Sequence, residues 1–309
     1  MKRIEKISLI GLGAMGVFFA PRIFKFYGNN FKVIANGDRK KRLEEKGVTI
    51  NGENYKFPVI SSDSEYKADL ILIGVKEYSL DEAIEDIRGQ VGEDTIIVSL
   101  LNGVDSEERL AAAFGEKHIL YAYMRMSIVM RDQKADFDPY WGKIHFGEKD
   151  NKNYSDKVLA VKEVFDNADI PYEIDRDMIK GIWFKYMCNV GENMTCALLG
   201  IPFGAFRNSD NANWIRINAM REVAEIARKK GIDLGEAEIE KQNKTIITIP
   251  LENKPSTLQD LECGKHTEVD MFAGTVIRLG KELGVETPIA KMFYYGILAL
   301  EEKGKEAKV

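Results

Sequence analysis

The sequence predicts an α/β domain built on a parallel sheet, followed by an all-α domain, and three observations predict it. The first half alternates apolar runs with helix-like segments, the second half keeps helical periodicity alone, and a glycine-rich loop follows the first apolar run. Apolar runs separated by helices are the pattern of parallel strands covered on both faces. At 309 residues the chain is about twice the usual domain length. A boundary near 172 gives domains at 1–172 and 173–309, where the texture changes.

Taken in order, residues 7–11 read as a buried strand, 14–26 as a helix and 31–35 as a second strand. Pro21 predicts a kink or an early end in that helix, because proline lacks the N–H that the ladder needs and costs ~3 kcal/mol. Asn51-Gly52 predicts a hairpin turn between 48–50 and 55–60, since both residues tolerate positive φ. Strands at 70–75, 95–101 and 119–123 alternate with helices at 80–87 and 106–114. A strand-rich, irregular stretch at 124–148 and a helix at 156–167 close the half. Helices are then expected at 179–199, 211–230, 236–247, 258–262, 267–283 and 289–303, with Gly231, Gly284 and the Pro250/Pro255 pair as breaks.

Composition excludes several classes. Hydrophobic residues at 45%, charged residues at 30% and only 8 Pro rule out a disordered or collagen-like chain. A net charge of -5 offers no basic field for nucleic acid or anionic membrane. Cys188, Cys196 and Cys263 are too few and too scattered for a disulfide framework or a zinc site, and suit a reducing cytoplasm. Residues 7–20 have the outline of a secretory signal, but three glycines interrupt them and no small-residue cleavage site follows. His118, His145 and His266 are scattered and read as structural, while Trp141, Trp183 and Trp214 read as core or domain-interface residues.

Gly11-Leu12-Gly13-Ala14-Met15-Gly16 matches G-x-G-x-x-G between a strand and a helix. In that pattern the first glycine turns the chain, the second lets backbone N–H groups reach a pyrophosphate, and the third lets helix and strand pack closely. A dinucleotide-binding, Rossmann-like domain follows. An acidic residue after the second strand would grip the ribose of NAD, whereas cations accept the 2′-phosphate of NADP. Neutral Asn36 followed by Arg39, Lys40, Lys41 and Arg42 favours NADP, and Asp38 keeps NAD as the alternative. Lys76 and Asn102 fall just past apolar strands, where ligands bind in open sheets, or are plain loop residues.

Lys185, Asn189 and Asn193 recur every four residues and share one helix face, among apolar Trp183, Phe184, Met187, Val190 and Met194. Buried amides and ammonium groups need polar partners. This stripe therefore meets either neighbouring helices or a small polar or anionic substrate. Farther on, Ser256 with Gln259, and Thr267 with Asp270, have capping-box spacing, and Glu268 suits a helix start by charge alone.

Together these residues resemble the ketopantoate reductase (2-dehydropantoate 2-reductase) family, nearly end to end. The resemblance rests on GLGAMG, VKEY with Lys76, LLNG with Asn102, the Lys185/Asn189/Asn193 helix, Asn253 with Ser256, and HTEVD with Glu268. It implies a Rossmann domain joined to a helical domain with the active site in the cleft between them. The implied reaction is NADPH-dependent reduction of 2-dehydropantoate, a small 2-oxo acid, to pantoate, on the way to pantothenate and coenzyme A. By the same resemblance Lys185 is the general acid, placed by Glu268. Asn102, Asn189, Asn193, Asn253 and Ser256 orient substrate. Gly11 through Gly16, Asn36, Arg39, Lys76 and Asn102 hold the cofactor, and no metal is involved. A long helical second domain often offers a dimer surface, so a homodimer is the expected form of any assembly. The chain departs from the family's pattern at Asn36, where an Arg is usual, and at Phe203, where some members place a substrate-binding Asn. Alternatives are a reductase of another 2-oxo acid and a non-catalytic NADP-binding regulator.

Overall fold

The structure, a computed structural model, describes residues 3–306 except 127, 129 and 132. The chain divides into two compact units, Met1–Ile179 and Lys180–Val309. The first begins β1 (Ile7–Ile10), α1 (Gly16–Tyr27), β2 (Phe31–Ile34), α2 (Gly37–Lys46), β3 (Val48–Ile50), β4 (Glu53–Tyr55), β5 (Val59–Ile60) and β6 (Ala68–Ile73). It continues through α3 (Leu80–Ile87), β7 (Val91–Ser99), α4 (Ser106–Phe114), β8 (Ile119–Arg125), β9 (Met130–Arg131) and β10 (Lys134–Ala135). The last elements are β11 (Lys143–Gly147), α5 (Asp156–Asn167) and β12 (Tyr172–Glu173).

The main sheet has the order β12-β11-β8-β7-β6-β1-β2-β5. Its pairings are parallel except for β11, which runs antiparallel to β8. The chain places β2 on one side of β1 and β6, β7 and β8 on the other, so its direction switches at β1. At such a point an open sheet leaves a crevice beyond the strand C-termini. Leu9, Leu70, Leu72 and Val98 pack with residues of α1 and α5, while Ile10, Ile71, Ile73 and Ile97 pack with residues of α3 and α4. Burial on both faces explains why these strands read as continuous apolar runs.

The predicted hairpin forms, with Asn51 at φ 49° and Gly52 at φ 81° between β3 and β4. It belongs to a second sheet of order β4-β3-β10-β9, which accounts for part of the irregular 124–148 stretch. α1 does not end at Pro21. Burial of Val17, Phe18, Phe19 and Ile23 outweighs the lost bond, at about 1.5–3 kcal/mol for each large side chain. Trp183 is buried, but Trp141 and Trp214 are 55% and 62% exposed, so they are not core residues.

Glu107, at the start of α4, is buried and accepts hydrogen bonds from the Ser106 hydroxyl and the Ala122 amide. Burial pushes its carboxyl from 4.5 up to about 7, the hydrogen bonds opposing it. The folded protein then holds this proton more tightly than the unfolded chain does. Its stabilisation is complete below about pH 4.5 and disappears as pH rises through 7. Glu107→Gln is expected to remove a fall in stability of roughly 3 kcal/mol between pH 5 and 8. Urea unfolding at the two pH values measures it.

The second unit is helical. α6 (Met178–Cys188) runs into a π-helical turn, Asn189–Asn193, and on into α7 (Met194–Leu199). Then come α8 (Asp210–Lys229), α9 (Glu236–Ile246), α10 (Ser256–Glu262), a second π turn at Asp270–Gly274, α11 (Thr275–Leu283) and α12 (Pro288–Glu306). Among the described residues no helix is long and apolar enough to cross a membrane.

Candidate functional site

In the first unit the glycine loop connects β1 to α1, and its three glycines have different reasons to be there. Gly11 sits at φ +91°, and a Cβ on it would lie 2.4 Å from the Gly74 carbonyl carbon. A Cβ on Gly16 would lie 2.2 Å from the Gly11 oxygen. Gly13 is open, the nearest protein atom to its Cβ being 3.9 Å away. The fold therefore demands Gly11 and Gly16, whereas no protein atom crowds Gly13. The helix that follows has no side-chain cap and no acidic residue in its first turn. Its N–H groups and dipole are available to an anion, so the loop fits a pyrophosphate.

Gly74, which the sequence reading passed over, completes this cradle: its N–H donates to the Ile10 carbonyl at 2.8 Å. Lys76 stands beyond the C-terminal end of β6, which neighbours β1 at the switch point, and Asn102 beyond that of β7, the next strand out; the Leu100 amide ties the two loops by donating to Ile73 O. Lys76 is exposed and Asn102 half-buried. Asn36, at the end of β2, donates to Asp86 Oδ1 at 2.9 Å and accepts from the Ser62 amide at 3.0 Å. Burial and neighbouring Glu82 raise the Asp86 carboxyl, opposed by its hydrogen bonds with the Asn36 and Ser62 side chains. Arg39 lies close to Arg42, Glu82 and Tyr78. Desolvation first and Arg42 second lower its pKa, but a guanidinium stays charged. Lys40 donates to Ser61 Oγ at 2.8 Å, which brings a second cation to the same strand end.

In the second unit, Lys185, Asn189 and Asn193 are each half-buried along a helix whose other residues from 182 to 197 are buried. In an α-helix a residue every fourth place drifts by about 40° per step. The π turn at 189–193 holds more residues, so its step falls short of a full turn and brings the drift back. π turns concentrate at functional sites. The turn is fastened from two sides. Gly191 lies so close to α8 that a Cβ would be 2.6 Å from Met220 Cγ. Its carbonyl accepts from Thr195 Oγ1 at 2.6 Å.

Beside it, buried Glu192 accepts from Gln242 Nε2 at 2.8 Å and pairs with Arg216 at 3.4 Å. Arg216, 1% exposed, also donates to Asn213 and Asn243 and lies over the Phe206 ring. Burial lowers its pKa, and Glu192 opposes the shift. Burial and the Glu192 charge push the Cys196 thiol well up, so it stays protonated. Arg216→Met should destabilise the protein by roughly 3–5 kcal/mol, because Glu192 would keep its charge without its cation. Adding Glu192→Gln should recover part of the loss in calorimetric melting.

Glu268 is 8% exposed and lies just before the second π turn, which packs against the first. Tyr186, next to Lys185, donates its hydroxyl to the Phe272 carbonyl at 2.6 Å and reaches that of Met271 at 3.2 Å. One side chain thus ties the Lys185 turn to the Glu268 segment. Thr267 donates to Glu301 Oε1 at 2.6 Å and His266 meets Glu301 Oε2 at 2.7 Å, so helix α12 holds the segment from behind. Asn253 and Ser256 are exposed, Ser256 as the first residue of α10, which packs on α7 and the first π turn. Phe203 N–H donates to the Asn253 carbonyl at 2.9 Å, placing Phe203 in the same corner. Ser256 is not a cap: Pro255 holds that position, and Gln259 reaches back to the Lys254 carbonyl instead.

One histidine does join an acid–base cluster. His145 Nδ1 meets Asp175 Oδ1 at 2.9 Å and Tyr123 donates to Asp175 Oδ2 at 2.6 Å. Burial would raise Asp175, but the bonds from His145 and Tyr123 outweigh it and hold the carboxyl low. Glu173 is close to both, yet it is paired with Lys143.

Residues 7–151 match the family described as ketopantoate reductase PanE/ApbA, and residues 177–301 match its C-terminal region. A 2-dehydropantoate 2-reductase of Pyrococcus horikoshii is 27% identical over 98% of this chain and all of its own length. The Bacillus subtilis oxidoreductase YkpB is 25% identical over 96% of this chain and 99% of its own. Among solved structures, D-mandelate dehydrogenase with NADH and anilino(oxo)acetate superposes with a TM-score of 0.85 at 22% identity, covering 97% of this chain and 99% of its own. With both halves matched and a cradle open at Gly13, the chain belongs to the ketopantoate reductase family and is an NAD(P)-dependent oxidoreductase.

Proposed function

We propose that the protein reduces 2-dehydropantoate to pantoate with NADPH, with Lys185 as general acid, and so serves pantothenate and coenzyme A synthesis. The observation that carries this reading is the half-buried Lys185/Asn189/Asn193 stripe, levelled by a π turn on an otherwise buried helix. NADPH supplies the hydride that adds to the keto carbon. As that C–H bond forms, the carbonyl π pair moves onto oxygen. The Lys185 ammonium stabilises the growing charge and delivers the proton that completes the hydroxyl. Asn189 and Asn193 offer amide donors and acceptors to substrate oxygens, as do Asn253 and Ser256 on the same unit. Glu268 acts as the positioning carboxylate for Lys185, so Glu268→Ala is expected to raise KM and lower kcat together in steady-state assays.

NADPH is preferred to NADH on this reading, because Arg39 and Lys40 provide cations at the end of β2 while the Asp86 carboxylate is engaged by Asn36. A second reading, reduction of a 2-oxo acid with an apolar or aromatic substituent, is favoured by Phe203 beside Asn253. The test follows absorbance at 340 nm with each cofactor, using 2-dehydropantoate, phenylglyoxylate and unbranched 2-oxo acids. Fastest NADPH loss with 2-dehydropantoate supports the first reading, and fastest loss with phenylglyoxylate supports the second. No loss with any of them would leave a dinucleotide-binding regulator.

A further inference from the structure

A cavity of about 590 Å³ lies within the first unit, along the middle of α1 and beneath the β3–β4 hairpin. That is in the range of roughly 300–1,000 Å³ that small-molecule sites occupy. Its wall shares no residue with the glycine loop, Asn36, Arg39, Lys76 or Asn102. Phe18, Phe24, Tyr55, Phe137 and Tyr140 line it, together with Arg22 and Lys25.

Among the described residues Arg22 is a cation held without a carboxylate hydrogen bond. Its Nε donates to Asp169 O at 3.0 Å, Nη1 to Phe18 O at 3.3 Å and Nη2 to Pro139 O at 2.7 Å. The guanidinium stacks on Phe18 at 4.7 Å and faces Tyr140 at 5.8 Å. Three of its five N–H groups are used among the described residues, all on neutral acceptors, which leaves two for a ligand. Desolvation lowers its pKa, and the Asp169 carboxylate, also on the wall, and Tyr140 oppose the shift. Lys25 has no ion pair among the described residues, and Glu53, on the same wall, accepts the Tyr55 hydroxyl at 2.6 Å.

We propose that this cavity is a second ligand site, which takes a small aromatic carboxylate. The ring lies among Phe18, Phe24, Phe137 and Tyr140, and the carboxylate meets Arg22 and Lys25. Planar carboxylate recognition by a guanidinium gives the site its charge preference.

Isothermal titration of the full chain with 3-phenylpropionate, in the presence of saturating NADPH, tests it. Saturable binding is expected, weakened at least ~10-fold in Arg22→Met and at least ~10-fold for the neutral 3-phenylpropanamide. Arg22 also anchors backbone, so Tyr140→Ala serves as a second variant. Tyr140 is 73% exposed, and its loss should weaken binding severalfold without unfolding the protein. Binding that is absent at about 10 mM probe with NADPH saturating, or tighter for phenethylamine, would overturn the proposal. So would binding that survives Arg22→Met but vanishes in Lys185→Ala, because the probe would then occupy the second unit.

Discussion

Lys185→Ala is expected to lower kcat at least ~100-fold while leaving NADPH affinity and melting temperature nearly unchanged. A positioned general acid contributes ~10²–10⁴ in rate, and charge stabilisation on the same oxygen adds to it. Lys185 lies between buried Phe184 and Tyr186, and the Tyr186 hydroxyl fixes that turn against the carbonyls of Met271 and Phe272. The backbone should therefore keep its place when the amine is removed. Lys185→Arg keeps a charge but holds its proton too tightly to release it, so it should rescue KM more than kcat. Turnover near the wild-type value in Lys185→Ala would remove the lysine from the chemistry.

Gly11→Ala and Gly13→Ala should fail in opposite ways. The first places a Cβ 2.4 Å from the Gly74 carbonyl carbon at a backbone φ of +91°. It should cost roughly 3 kcal/mol of stability from backbone strain and crowding together. The second adds a Cβ with nothing nearer than 3.9 Å, so stability should hold. NADPH affinity should instead fall at least ~10-fold, because the methyl occupies the approach of the pyrophosphate to the backbone. Thermal melts paired with NADPH fluorescence titration separate the two outcomes. Unchanged NADPH binding by Gly13→Ala would show that the open space at that residue is not the cradle.

The sequence specifies α3, α4 and α5 end to end, because each carries its own apolar period and a stop signal within a few residues. The hairpin at Asn51-Gly52 was legible for the same local reason. The helix through 179–199 was legible as a length but not as a shape, since nothing in an i, i+4 spacing announces a π turn. Ser256 and Gln259 imitate a capping box, and the prefix Pro255 decides against it by taking the cap position without an N–H. Tyr186, Gly74, the Arg216–Glu192 pair and the His145–Asp175–Tyr123 cluster were missed. Each is defined by a partner between 24 and 86 residues away, or by a backbone approach that only the fold creates.

Hydride transfer to a 2-oxo acid is measured most directly by labelling. The protein is given NADPH deuterated at C4 in the transferred position, together with 2-dehydropantoate, and the product is read by mass spectrometry and NMR. The account predicts pantoate carrying deuterium at C2, formed at least ~100-fold more slowly by Lys185→Ala. Absence of a C2-labelled hydroxy acid from 2-dehydropantoate and from every other 2-oxo acid supplied would contradict it.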